Sequence, residues 1–146
     1  MPIVKGCNLP DHLLYDVDNH IWFQEQPDGS LKVGMTIVAT AMAGQLVAFT
    51  PKKVGRQVEA GKSCATVESG KWVGPAKSAA SGAVVAINEQ LVGNPQLANQ
   101  DPYDNGWFII LQPTNWGDVK PTLTPGSEVA SKYEAKMAAD GFAGCA

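Results

Sequence analysis

The side chain whose setting most suggests chemistry is Lys71, within Ser69-Gly70-Lys71-Trp72. A strand-like segment, 63–69, runs into it. Gly70-Lys71 fits the two central positions of a tight hairpin turn, with Gly70 supplying an unusual backbone angle. A lysine at such a tip presents an amine nucleophile to solvent. Most turn lysines do nothing more than that, but this one lies ten residues after Gly61 and eleven before Gly82, in a chain that keeps charge sparse. Other chemistry fails on a required residue. Ser69-Gly70-Lys71 differs from a phosphate-binding loop in having Ala65 where glycine is needed and Trp72 where a hydroxyl must reach the metal. Asp16-Val-Asp18 opens like a calcium loop, but Ile21 occupies the place of the glycine at its sharp turn. No G-x-S-x-G occurs, and His12 and His20 offer little general-base chemistry. A conventional catalytic site is not expected.

The cysteines have two readings. Cys7, Cys64 and Cys145 form no C-x-x-C and lack enough nearby histidines for zinc. They are either three reduced, inert thiols or one thiol plus a redox-sensitive Cys7–Cys145 pair near the two chain ends.

The elements that must position Lys71 follow from pattern. With 45% hydrophobic and 17% charged residues in 146, a packed core is within reach, and 15 glycines with 10 prolines imply frequent turns. Residues 20–24 and 31–33 flank Pro27-Asp28-Gly29 and read as a hairpin. Residues 36–43 suit a short helix with Thr36 as N-cap and Gly44 as its stop. Segments 46–49, 63–69, 83–87 and 107–111 read as strands. Alternation in 63–69 places Ala65 and Val67 on one face and Cys64, Thr66 and Glu68 on the other. Residues 88–106 read as a loop with at most one helical turn. The strongest helix is 127–139, with Val129, Tyr133 and Met137 on one face, and 141–146 reads as a loose tail. The class is mostly β with short helices (α+β), one domain over 1–146.

A net charge of −3 argues against a nucleic-acid partner. No apolar run approaches the ~20 residues needed to span a bilayer, and Met1-Pro-Ile-Val-Lys5 reads as a cytoplasmic start.

A hairpin lysine flanked by these two glycines resembles the lipoyl and biotinyl carrier domains. Biotinyl domains bracket their lysine with methionines; Gly70 and Trp72 are found here, so lipoyl is the better match. His20-Ile-Trp22, Val33-Gly34, Val54-Gly55, Val58-Glu-Ala-Gly61, Val67-Glu-Ser69 and Ser81-Gly82 are similar to the glycine cleavage H-protein family. So are Asn88, Leu91, Pro95, Leu97, Asn99, Asp101-Pro-Tyr103 and Gly106-Trp107. The resemblance covers about residues 15–137. It implies a barrel-sandwich hybrid with a C-terminal helix, lipoate in amide linkage on Lys71, and a carrier without catalysis of its own. Glu68, Ser69, Gly70, Trp72 and Gly82 would then shape the turn and its recognition by a lipoate ligase. Asp101, Tyr103 and Trp107 either order a loop beside the arm or form a tight turn and a core contact. Trp72 is either a docking anchor or packing along the hairpin.

Two departures bear on the partner. H proteins are acidic around the docking face, whereas 62–78 holds Lys62, Lys71 and Lys77 against Glu68 alone, and Lys52, Lys53 and Arg56 make the preceding loop basic. Gly70 and Trp72 also replace the family's usual valine and alanine around the lysine. In these respects the chain resembles the lipoate-binding proteins of the sulfur-oxidising heterodisulfide reductase-like system. That resemblance implies a monomeric cytoplasmic carrier of sulfur-bound intermediates or reducing equivalents. Its partners would be a heterodisulfide reductase-like complex and a lipoamide dehydrogenase-like flavoprotein. The alternative is a glycine cleavage H protein carrying an aminomethyl group, and a further one is an H-like domain without lipoate.

Overall fold

A computed structural model describes residues 3–145; of the proposed cytoplasmic start, Met1 and Pro2 lie outside them, as does Ala146 of the tail. The strands are β1 Ile3–Val4, β2 Cys7–Asn8, β3 Leu14–Asp16, β4 Ile21–Glu25, β5 Leu31–Met35, β6 Leu46–Pro51, β7 Gln57–Val58, β8 Lys62–Ser69, β9 Val73–Ser78, β10 Gly82–Ile87, β11 Ile109–Pro113 and β12 Thr124–Pro125. The helices are α1 Ile37–Ala43, α2 Glu89–Gly93, α3 Leu97–Gln100, α4 Trp116–Val119 and α5 Val129–Asp140.

Among the described residues the strands form a seven-stranded sheet in the order β12-β3-β4-β5-β11-β10-β7, a three-stranded sheet β6-β8-β9, and the pair β1-β2. The expected mostly-β architecture with a C-terminal helix is what the chain adopts. The main core joins Phe23, Leu31 and Val33 of the large sheet to Phe49, Val67 and Ala76 of the small one, with Phe49 and Phe108 rings 4.7 Å apart. A second cluster gathers Cys7, Leu9, Tyr15, Trp22, Val38 and the inner face of α5.

Local chemistry explains the early elements. In the β4–β5 turn, Asp28 Oδ1 accepts from the Ser30 amide at 2.9 Å and its hydroxyl at 2.6 Å, while Gly29 takes φ +88°. Thr36 Oγ1 accepts from the Ala39 amide at the start of α1, and Gly44 at φ +87° ends it.

Several expectations are corrected. The strand paired with β8 across the turn is β9; the 83–87 segment, as β10, pairs with β11 and β7 in the other sheet. Segment β9 contains Gly74 and Pro75, which mask any apolar alternation, and it tolerates proline because it is an edge strand. A register shift between Ser63 and Ala65 turns Cys64 inward as well, so strict alternation fails there. Residues 88–106 hold two short helices, α2 and α3. The last long strand begins at Ile109, leaving Trp107 half-buried beneath Lys32 Nζ at 5.7 Å from its ring.

The tail is fastened. The Phe142 amide bonds Met137 O and the Cys145 amide bonds Lys5 O, both at 2.9 Å, and Cys145 is disulfide-bonded to Cys7. The paired reading of the cysteines therefore holds over three reduced thiols, with Cys64 free and buried. Burial pushes the Cys64 thiol up to about 12, which keeps it inert.

Candidate functional site

Four residues close the β8–β9 turn. The Ser69 amide donates to Trp72 O at 2.7 Å. The Ser69 hydroxyl accepts from the Lys71 amide at 3.3 Å and donates to Trp72 O at 3.4 Å. Ser69 is buried, so its side chain replaces water as the partner of the turn's backbone. Gly70 does not take a positive φ, and a Cβ there would meet nothing within 4 Å. The expected reason for Gly70 is thus corrected: the serine, not an unusual glycine angle, shapes the tip. Glu68 is exposed just before it, in register with Val73.

Lys71 is exposed, and its stem lies over the end of α1, where a Cβ on Gly44 would sit 3.5 Å from Lys71 Cε. Trp72 runs back along β9: a Cβ on Gly74 would fall 2.4 Å from its ring. The residue stays 40% exposed, so hairpin packing and a presented surface coexist. Gly82 is not part of this constellation; it begins β10 in the other sheet.

Beside Lys71 opens a cleft of about 330 Å³. Its walls come from α1 (Ala39, Met42, Ala43), from Met35, from the hairpin (Trp72, Pro75, Ala76), and from Asn19 and His20. The lining is mainly apolar and includes no carboxylate. Only Lys71 and Trp72 of this set were singled out from the sequence for the site, because the others meet only through tertiary packing. His20 carried a signal in its place after Asp18-Asn19: it takes the left-handed φ +58° that ends such a turn.

His20 Nδ1 lies 3.2 Å from Tyr133 Oη, and the two rings stack with centroids 5.7 Å apart. Burial, with Lys136 second, holds the imidazole below its ordinary value. A histidine whose folded pKa is depressed binds fewer protons folded than unfolded. Its contribution to stability is complete above the unfolded value of about 6.5 and declines as pH falls below it. Denaturation midpoints measured at about pH 7.5 and about pH 5.5 should therefore drop at acid pH, and His20→Asn, which tolerates the same φ, should reduce the drop.

Segment 97–107 supports the α1 end of the cleft. Asn99 Oδ1 accepts from the Leu46 amide at 2.9 Å, and its Nδ2 donates to Gly44 O at 3.0 Å and Thr40 O at 3.3 Å. Tyr103 Oη donates to Asn8 O at 2.7 Å and accepts from the Ile37 amide at 3.1 Å. Asp101 Oδ2 holds Asn105 through its amide and side chain. Asn99 and Tyr103 thus brace the helix that walls the cleft, and Asp101 orders the loop that carries Tyr103.

Residues 13–136 match the family described as glycine cleavage H-protein. Glycine cleavage system H protein 5 of Aquifex aeolicus is 48% identical over 134 residues, covering 89% of this chain and 90% of that protein. The probable glycine cleavage system H protein 2 of Sulfurisphaera tokodaii is 40% identical over 134 residues, covering 90% of each. The crystal structure of a glycine cleavage system H protein from Mycobacterium marinum superposes with TM-score 0.75 at 34% identity, over 88% of this chain and 98% of that one. The two-sheet arrangement is accordingly the lipoyl-type barrel-sandwich fold of H proteins. These names favour the glycine cleavage alternative and lend no support to the heterodisulfide reductase-like partners expected from the charge pattern. The chain belongs to the glycine cleavage H-protein family.

Proposed function

We propose that Lys71 carries the lipoyl group and that the chain shuttles its cargo between the enzymes of a glycine cleavage-type system. Members of this family are non-catalytic lipoate carriers. The observation that carries the assignment to Lys71 is its place: exposed at a serine-locked turn, with its stem at the mouth of an apolar cleft. The residues present fit the group. Amide formation removes the ammonium charge, and the walls offered by Met35, Ala39, Met42 and Trp72 suit an aliphatic arm and a sulfur ring. When bound, the lipoyl group supplies a dithiolane for thiol–disulfide exchange and group carriage. Ser69 keeps the tip rigid for a lipoate ligase, and Trp72 presents an aromatic face beside the lysine. Tethering keeps the effective concentration of the arm high at each docked partner. A cytoplasmic setting belongs to this reading, and no helix among the described residues is long and apolar enough to cross a membrane.

A second reading, carriage of sulfur-bound intermediates to a heterodisulfide reductase-like complex and a lipoamide dehydrogenase-like flavoprotein, is favoured by one observation. The cleft lining holds no carboxylate to neutralise a cationic aminomethyl cargo, and desolvating an unpaired cation is costly.

Intact mass of the protein from its native host should show one lipoyl addition, absent from Lys71→Arg with the fold retained. An unmodified wild-type protein would refute the carrier assignment. Offered to glycine cleavage enzymes, the lipoylated protein should support glycine decarboxylation; failure there would shift the partner to the sulfur system.

A further inference from the structure

Helix α1 walls the cleft beside Lys71, and residues from both ends of the chain hold it from behind. The central one is Tyr133 of α5, which is fully buried. Its hydroxyl lies 3.1 Å from Thr36 Oγ1, the N-cap of α1, and 3.2 Å from Nδ1 of His20 in the cleft. One phenol thus anchors both the start of the cleft helix and the cleft histidine.

What anchors α5 beyond its apolar face is the tail. Past Gly141 the chain turns back, the Cys145 amide bonds Lys5 O, and Cys145 joins Cys7. Cys7 is fully buried in the cluster that contains Val38 of α1 and Tyr133 and Met137 of α5. Met42, on the cleft wall, packs against this same cluster. The bridge is therefore bonded to the body that supports α1, and among the described residues the rest of the tail is tied by single backbone bonds and a half-buried Phe142.

We propose that the Cys7–Cys145 bridge is a redox latch acting through α5 and Tyr133 on the cleft beside Lys71. With the bridge formed, Thr36 and His20 share a fixed anchor. With it reduced, the tail is released, α5 loosens, and the α1 wall loses its support. Tyr133 is the positioning residue in this chain of contacts. A small dithiol opens the bridge in balanced steps. One thiolate attacks Cys145 Sγ, the less buried sulfur, and Cys7 departs as a thiolate and takes a proton. The reductant's second thiol then closes its own disulfide and releases Cys145 as a thiol, so two electrons pass to the bridge. Cys64 does not compete, because burial keeps it protonated. That a reduced lipoyl arm on another copy could be such a dithiol rests on the carrier reading; the latch does not.

The test is hydrogen–deuterium exchange on the full chain, before and after dithiothreitol with iodoacetamide blocking, the lipoyl state being read from the mass of the Lys71 peptide. Cys7 and Cys145 should alkylate only after reduction. Exchange in α1 and α5 should then rise about tenfold, with β4 and β5 unchanged. Tyr133→Phe with the bridge intact should reproduce the rise in α1 and shift the His20 imidazole resonances. Alkylation without reduction would overturn the latch. So would unchanged α1 exchange after reduction, or equal acceleration across β4 and β5. An unmodified Lys71 peptide counts against the carrier reading alone.

Discussion

Gly82→Ala should lose about 3 kcal/mol of stability, the upper end for forced overpacking, while Gly70→Ala should stay within about 0.5 kcal/mol. A Cβ on Gly82 falls 2.1 Å from Gln112 O, 2.8 Å from Gln112 C and 2.9 Å from Pro113 Cα. All of these are backbone atoms of β11, its partner in the ladder, so no rotamer change relieves the clash. The strands must separate at that point, which breaks register contacts on both sides of β10. At Gly70 a Cβ would meet open space and an ordinary backbone angle. Urea midpoints of the two variants measure the difference, and equal midpoints would refute the close approach. The folded fraction of Gly82→Ala should still accept lipoate, because Gly82 is in the sheet opposite the lysine turn. The glycine that helped single out Lys71 in the sequence would then mark packing rather than ligase recognition.

That glycine illustrates what was legible in the sequence. The β4–β5 hairpin, α1 and α5 were readable because short-range chemistry sets them: Asp28 and Gly29 in one turn, Thr36 and Gly44 at the helix ends, and Val129, Tyr133 and Met137 on one apolar face. The position of Lys71 at a turn tip was readable too, although Ser69 rather than a special angle at Gly70 closes that turn. The cleft was not. Met35, Met42, His20 and Pro75 are scattered along the chain and converge only when the two sheets face each other. Strand β9 was hidden by its own composition, since Val-Gly-Pro-Ala carries no period, and edge position makes that composition tolerable. Cys64 faces inward, away from Thr66 and Glu68, because a bulge interrupts the strand's alternation. The tail looked loose because its ties, to Lys5 and Cys7, are almost a whole chain length away.

Trp22→Ala should cost about 4 kcal/mol, within the range for deleting a fully buried indole, and its coupling to Gly34 should be measurable. Trp22 is completely buried. Its Nε1 donates to Met35 O at 3.1 Å and to Pro102 O at 3.0 Å, and the Tyr103 ring lies 6.2 Å from its own. Across the ladder it faces Gly34, where a Cβ would fall 2.5 Å from the indole. Three segments that appear as separate motifs in the sequence, His20-Ile-Trp22, Val33-Gly34 and Asp101-Pro-Tyr103, are therefore one contact. The glycine makes room for the ring, and the proline carbonyl accepts its N–H. If so, Gly34→Ala is destabilising in the native background and close to neutral when Trp22 is already alanine, a coupling of about 2 kcal/mol in a double-mutant cycle. Additive effects would show that the three segments are independent. The consequence reaches the site, because the carbonyl that Trp22 holds belongs to Met35, a wall of the cleft. Loss of the indole should loosen that wall while leaving the Ser69–Trp72 turn and its lysine intact. On the carrier reading proposed above, the Trp22→Ala protein that remains folded should still accept a lipoyl group on Lys71 and yet bury the arm less well.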